Sequence, residues 1–438
     1  MYKFSVESEK YIYELTELAK EFGEEIAFEE GAELLAGGKN QAKKALFCFL
    51  SEKTGKAPDW GTLTGVRPLK LYNDLAGKFG ACEAERLLSE NYLLSEDKLR
   101  LLSLVHKVQS GVCIDKSENA WGLYIGIPFC PTRCLYCSFT SNAYTQERSK
   151  RYLAALFREI DAVSKLMAQK GAYAESIYIG GGTPTSLSES QLESLLSAVS
   201  EKLFSSKTKE FTVEAGRPDT ITEGKLRAIV QSGAGRISIN PQSMKQRTLE
   251  LIGRSHTPGQ IEDAFALAHK AGIKIINADL IAGLPEENPK DFEHSLNRVI
   301  ELGANNITVH TLAVKRASRL IDEDPSLGKR QAETVRQMLA ASSQILAING
   351  YAPYYLYRQK NMSGNYENVG YAKPGTENIY NIRIMEENQC IIALGAGGIS
   401  KAYYPAENRL ERIPNVSNFE IYIERIDEMI KRKEEGFL

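Results

Sequence analysis

The stretch GLYIGIPFCPTRCLYCSFTS, residues 122–141, sets Cys130, Cys134 and Cys137 within eight positions, directly behind a short β-branched run. An unbroken apolar run that ends at a proline reads as a strand buried on both faces, and such strands belong to parallel sheets. The cysteines then occupy the loop leaving its C-terminal end.

Outward from this point the same pattern repeats. WGLYIGI, SIYIGG, EFTVEA, RISIN, IINADLIAG and NNITVHTL are short apolar runs. Helical patterns separate them, at 147–169, 188–204, 223–232, 244–252 with 258–271, and 288–302. Six strand–helix units predict an α/β chain with a parallel sheet and right-handed crossovers, a partial (β/α)6 relative of the eight-unit barrel. In that design, chemistry sits at the C-terminal ends of the strands. The informative residues fall there. The cysteines follow the first strand, GGGTPT (180–185) the second, Glu214 ends the third, Gln242 follows the fourth, Asp279 lies near the end of the fifth, and Ala313 trails the sixth. Three glycines let backbone approach a ligand closely, and their amides suit an anion-binding concavity. Ser188 and Gln191 carry a capping-box pattern for the next helix.

The flanks read differently. Residues 1–116 predict a mostly helical accessory domain, 117–320 the barrel core, and 321–438 an α+β region covering the substrate. Residues 1–35 hold ten glutamates and three lysines, with helical spacing through Tyr11, Leu15, Leu18 and Phe22. That pattern is a solvated helix face. The stretches 73–92 and 95–111 predict one helix each.

Charge is balanced, 54 basic against 56 acidic side chains, which gives no bulk electrostatic argument for nucleic acid or an anionic membrane. No apolar run is long enough to span a bilayer, and a cytoplasmic protein is expected. Cys48, Cys82, Cys113 and Cys390 are scattered and read as packing residues, Cys48 lying inside the apolar run ALFCFL.

Three clustered thiolates fit a four-iron cluster with one iron left open to a small molecule. A structural zinc site wants four Cys/His ligands, and none of the five histidines lies near the trio in sequence. A redox pair Cys134–Cys137 leaves Cys130 unexplained.

CxxxCxxC after a first strand, followed by GGGTPT, resembles the radical S-adenosylmethionine enzymes. LYIGIPFCPTRCLYC is similar to the YxxIPFCxxxCxYC signature of the oxygen-independent coproporphyrinogen III oxidases, and WGTLTGVRP, RISINPQ and YRQKNMSGNYENVGYAKPG resemble their HemZ branch, which has an added N-terminal domain. The resemblance covers nearly the whole chain. It implies a 4Fe–4S cluster on Cys130, Cys134 and Cys137, and S-adenosylmethionine contacted by Tyr124, Gly181, Glu214 and Ile399. A second S-adenosylmethionine, or substrate, would meet Tyr136, Gly182, Thr183, Gln242, Arg254, Asp279 and Ala313. The reduced cluster would cleave the sulfonium to give a 5′-deoxyadenosyl radical. The implied partners are a tetrapyrrole substrate with four carboxylates and an electron donor such as a flavodoxin or ferredoxin. The implied activity is oxidative decarboxylation of coproporphyrinogen III to protoporphyrinogen IX in haem biosynthesis. Arg316, Arg319 and Arg358 are candidates for the substrate's carboxylates, since arginine suits bidentate recognition.

Two positions depart from the best-characterised members: Gly126 stands where they have histidine, and Phe139 where they have a further cysteine. A haem-delivering relative also carries phenylalanine there, so a haem chaperone, or a radical enzyme acting on another tetrapyrrole, is the competing reading.

Overall fold

The computed structural model describes residues 1–65, 67–137, 142–313, 331–359 and 362–437. Its six predicted strands are Ala120–Ile127, Tyr173–Gly181, Glu210–Glu214, Arg236–Gln242, Ile275–Ala282 and Asn306–Thr311. They lie side by side in chain order and all parallel. Helices Gln146–Gln169, Glu189–Lys202, Glu223–Gln231, Pro258–Lys270 and Pro289–Glu301 fill the crossovers. The capping box at Ser188 and Gln191 forms as expected.

The sheet runs on past the six. Ile391–Leu394 adds a parallel strand beside the first, and Ile399–Tyr404 and Arg409–Pro414 continue antiparallel. At the other edge, Glu367–Ala372 and Ala352–Arg358 close the eleven-stranded sheet. The C-terminal region therefore extends both edges of the partial barrel.

The N-terminal region is not only helical. Tyr2–Val6 pairs in parallel with Ile26–Phe28 and Glu33–Leu35, around helix Ile12–Phe22. Three-residue strands carry too little alternation to register as a pattern. Leu15, Leu18 and Phe22 face inward as their spacing predicts, and pack with Phe4, Leu46 and Leu50 in a small core of their own. Trp60, Tyr72, Leu88 and Leu102 instead share the barrel's core, so the apolar interior divides near residue 55 and not near 116. The stretch 73–92 is two helices, Pro68–Phe79 and Ala81–Tyr92, broken at Gly80 with φ +89°. Cys48 is exposed, because the helical period turns it away from the face that buries Leu46, Phe47 and Leu50.

Arg358 also corrects an expectation. Its guanidinium is buried, ion-paired with Glu21 at 3.0 Å, bonded to the Leu63 and Asn365 carbonyls, and stacked 5.2 Å over Trp60. Beside it, Lys98 and the Trp60 indole both donate to Glu367, at 2.7 and 2.9 Å. Arg358 thus ties the N-terminal region to the barrel edge, and its donors are already engaged. Removing one partner of a buried pair leaves a buried charge, so Arg358→Ala is expected to cost about 3 kcal/mol in denaturant unfolding. A Michaelis constant that rose with unchanged stability would restore the carboxylate role.

Candidate active site

Strand geometry explains how the rim is furnished. Period-two alternation turns Glu214, Asp279 and His310 to the face opposite the apolar residues between them. Glu214 accepts a hydrogen bond from the Tyr178 hydroxyl at 2.5 Å and from the Gly181 amide at 3.2 Å. Burial pushes its carboxyl up to about 7, against the pull of the Tyr178 bond, with Asp279 adding to the rise. Asp279 accepts from the Asn277 amide at 2.8 Å and lies 3.6 Å from His310 Nε2. Burial opposes its charge, but His310 and Asn277 together hold it below the usual carboxylate range. Tyr124, Tyr178 and Tyr380 stack as an aromatic wall, Tyr178 and Tyr380 with centroids 4.7 Å apart.

The glycine loop does something other than the sequence suggests. Its amides are not free for an external anion. Gly181 donates to Glu214, Gly182 to the Ile127 carbonyl and Thr183 to the Phe129 carbonyl, the last two at 2.8 and 2.7 Å. The loop is laced onto the cysteine loop instead. Gly181 has φ +112°, which side chains rarely adopt. A Cβ on Gly182 would sit 2.5 Å from the Phe129 carbonyl oxygen and 3.0 Å from Cys130 Sγ. Gly182→Ala must displace the cysteine loop, so reconstituted iron is expected to pass to a chelator about tenfold faster. Wild-type retention in that variant would show the contact to be slack.

The cysteine loop is surrounded by donors. The Thr183 hydroxyl reaches Cys130 Sγ at 3.5 Å, and Arg217 Nη1 reaches Cys134 Sγ at 3.9 Å. The Leu135 amide bonds to the Ile252 carbonyl and the Cys137 amide to that of Cys134. All seven cysteines lie outside disulfides. Three thiols on one loop, met by N–H and O–H donors, fit an iron–sulfur cluster.

Behind the trio, Arg254 donates to the Gly216 and Asn240 carbonyls and to the Tyr136 hydroxyl, at 3.2, 2.9 and 2.8 Å. Gln242, at φ +68°, is buried, with its Oε1 unpartnered among the described residues. That orphaned acceptor suits a polar ligand. Ala313 bridges to Met362 just beyond the sixth strand. Ile399 begins the strand antiparallel to Ile391–Leu394, which places it on the same rim, and its side chain is 48% exposed. The adjoining GAGG turn is fixed by Glu159, which takes the Gly395 amide at 2.7 Å and is paired with Lys433. Arg316, Arg319 and Phe139 lie outside the described residues. His310, Tyr178, Tyr380 and Arg217 were not singled out from sequence. The alternation of the strands was the available signal for His310 and Tyr178.

This combination of a partial parallel barrel, a cysteine trio after its first strand and a carboxylate ending its third defines a radical S-adenosylmethionine protein, and the Radical SAM superfamily model matches residues 124–299. The chain is 38% identical over 409 residues, 91% of its length and 82% of the relative's, to a Bacillus subtilis protein named oxygen-independent coproporphyrinogen-III oxidase-like protein HemZ. It belongs to the HemZ/HemN/HemW family of radical S-adenosylmethionine proteins. A protein of Escherichia coli named heme chaperone HemW is 29% identical over 65% of this chain and 70% of its own. The solved coproporphyrinogen III oxidase HemN of Escherichia coli shares the fold, with a TM-score of 0.57 at 23% identity over 72% of this chain and 70% of that one. As a member of this family the protein takes a 4Fe–4S cluster and S-adenosylmethionine, which the thiol spacing and the polar rim accommodate. No helix among the described residues is long and apolar enough to cross a membrane.

Proposed function

We propose that this protein decarboxylates propionate side chains of coproporphyrinogen III oxidatively, without oxygen, in the cytoplasm. Cys130, Cys134 and Cys137 would hold the cluster. Tyr124, Gly181, Glu214 and Ile399 would hold S-adenosylmethionine. Tyr136, Gly182, Thr183, Gln242, Arg254, Asp279 and Ala313 would line the adjoining space for a second molecule of it or for substrate. Cluster and S-adenosylmethionine together supply a carbon radical that removes one hydrogen atom. The substrate side chain then loses carbon dioxide and one electron to an acceptor and becomes vinyl; two such turns give protoporphyrinogen IX. The chain's part is to orient the ligands and exclude water. The tyrosine wall offers flat apolar faces, and Glu214 a carboxylate for a cationic ligand.

The observation carrying this reading is the extent of the match. Likeness to the HemZ relative covers 91% of the chain, N-terminal region included, whereas likeness to the heme chaperone of Escherichia coli covers 65%. The names of the chaperone relatives supply the second reading, haem binding and delivery. Anaerobically reconstituted protein, given S-adenosylmethionine, dithionite and coproporphyrinogen III, is expected to yield 5′-deoxyadenosine and vinyl-bearing product by chromatography. Stoichiometric retention of added haem with no vinyl product would favour the chaperone instead.

A further inference from the structure

Arg217 lies just beyond the third strand, three residues after Glu214, and is 3% exposed. All five of its N–H groups are engaged. Nε and Nη2 hold Asp219 in a two-point fork, both at 3.0 Å. Nη2 also reaches the Ser255 hydroxyl at 2.8 Å. Nη1 turns into the cysteine loop, to the Thr132 hydroxyl at 3.0 Å and to Cys134 Sγ at 3.9 Å. Asp219 is in turn met by the Ser255 hydroxyl at 3.2 Å and lies 3.7 Å from His256 Nδ1. Burial would raise its carboxyl, but His256 and Arg217 bring it well below the usual range, so it stays charged.

A full positive charge is thus fixed against the most buried thiol of the trio, with a negative charge on its far side. Hydrogen bonds and charge beside a cluster sulfur set how readily the cluster accepts an electron. We propose that Arg217 is a positioning residue for the cluster, raising its reduction potential through the Arg217–Cys134 contact, and that Asp219 sets how much of that charge is felt. The proposal rests on the cluster and not on which tetrapyrrole is acted on.

The two members of the pair act with opposite sign. Removing the cation destabilises the more negative, reduced cluster; removing the anion stabilises it. Arg217→Gln and Asp219→Asn, each reconstituted anaerobically and assayed for iron, are compared by electron paramagnetic resonance at the solution potential that half-reduces the parent. Arg217→Gln is expected to show a reduced-to-oxidised ratio about tenfold lower, which for one electron is ~59 mV. Asp219→Asn is expected to show a ratio above one. A ratio of one or more in Arg217→Gln, or of one or less in Asp219→Asn, overturns the proposal, because loosening of the shared network alone would move both the same way. Should Arg217→Gln fail to retain iron, the ratio in Asp219→Asn decides by itself.

Discussion

Cys134→Ala protein, reconstituted anaerobically, is expected to bind less than about one iron per chain where the parent binds roughly four. It should release no 5′-deoxyadenosine above background. The size of the effect follows from position. Cys134 is the most buried thiol of the trio, 9% exposed, and faces the Arg217 guanidinium. Alanine there would remove one of the three proposed ligands and leave a buried cation without its sulfur partner. Cys113→Ala is the matched control, because Cys113 is exposed and its sulfur lies 4.0 Å from Lys209, the residue before the third strand. That variant should keep its iron and its colour. Full iron loading in Cys134→Ala would overturn the assignment of the trio, and an equal loss in Cys113→Ala would show that the assay reads general damage.

Why the barrel and the trio were readable, and other parts were not, has a physical basis. The first two core strands carry nearly continuous apolar runs, LYIGI and IYIGG, the later ones alternate apolar with polar residues, and helices separate them. Cysteine spacing is likewise local information. The three-residue strands of the N-terminal sheet bury little and alternate too briefly to be seen. The fate of Arg358 was not local at all: Glu21 lies 337 positions away, and only the fold brings it to 3.0 Å. The glycine loop misled for a related reason. Its amides look available in sequence, yet Ile127, Phe129 and Glu214 take them, from residues up to 55 positions distant. Arg217 stands in the same class, since its meaning depends on a loop 85 positions earlier.

Glu214→Gln is expected to weaken S-adenosylmethionine binding about 100-fold while making the unliganded protein more stable at pH 8. The two halves share one cause. Glu214 is a part-buried carboxyl pushed up to about 7, loss of solvent being the main reason and Asp279 the neighbour that adds to it. Its folded-state value exceeds the ordinary 4.5, so between pH 4.5 and 7 the folded chain holds a proton that the unfolded chain releases. Stability therefore falls as pH rises through that window, and the full cost, about 3 kcal/mol, is present above pH 7. Glutamine has no charge to desolvate. It keeps an acceptor for the Tyr178 hydroxyl and loses the Gly181 amide, so roughly 2 kcal/mol of the gain at pH 8 should survive. At pH 4.5, where the folded parent's carboxyl is neutral, the variant should have lost that advantage. Binding moves the other way. S-adenosylmethionine carries a sulfonium and an ammonium, and a buried carboxylate meeting such a ligand is worth about 3 kcal/mol, near 100-fold in dissociation constant. Parent affinity should also weaken as pH drops from 8 to 6, with proton release on binding in that range, and the variant should show neither trend. Isothermal titration at three pH values, beside denaturant unfolding of the unliganded proteins, tests both halves. Unchanged affinity in the variant removes Glu214 from the ligand set, and a destabilised variant at pH 8 would mean that the carboxylate is satisfied where it stands.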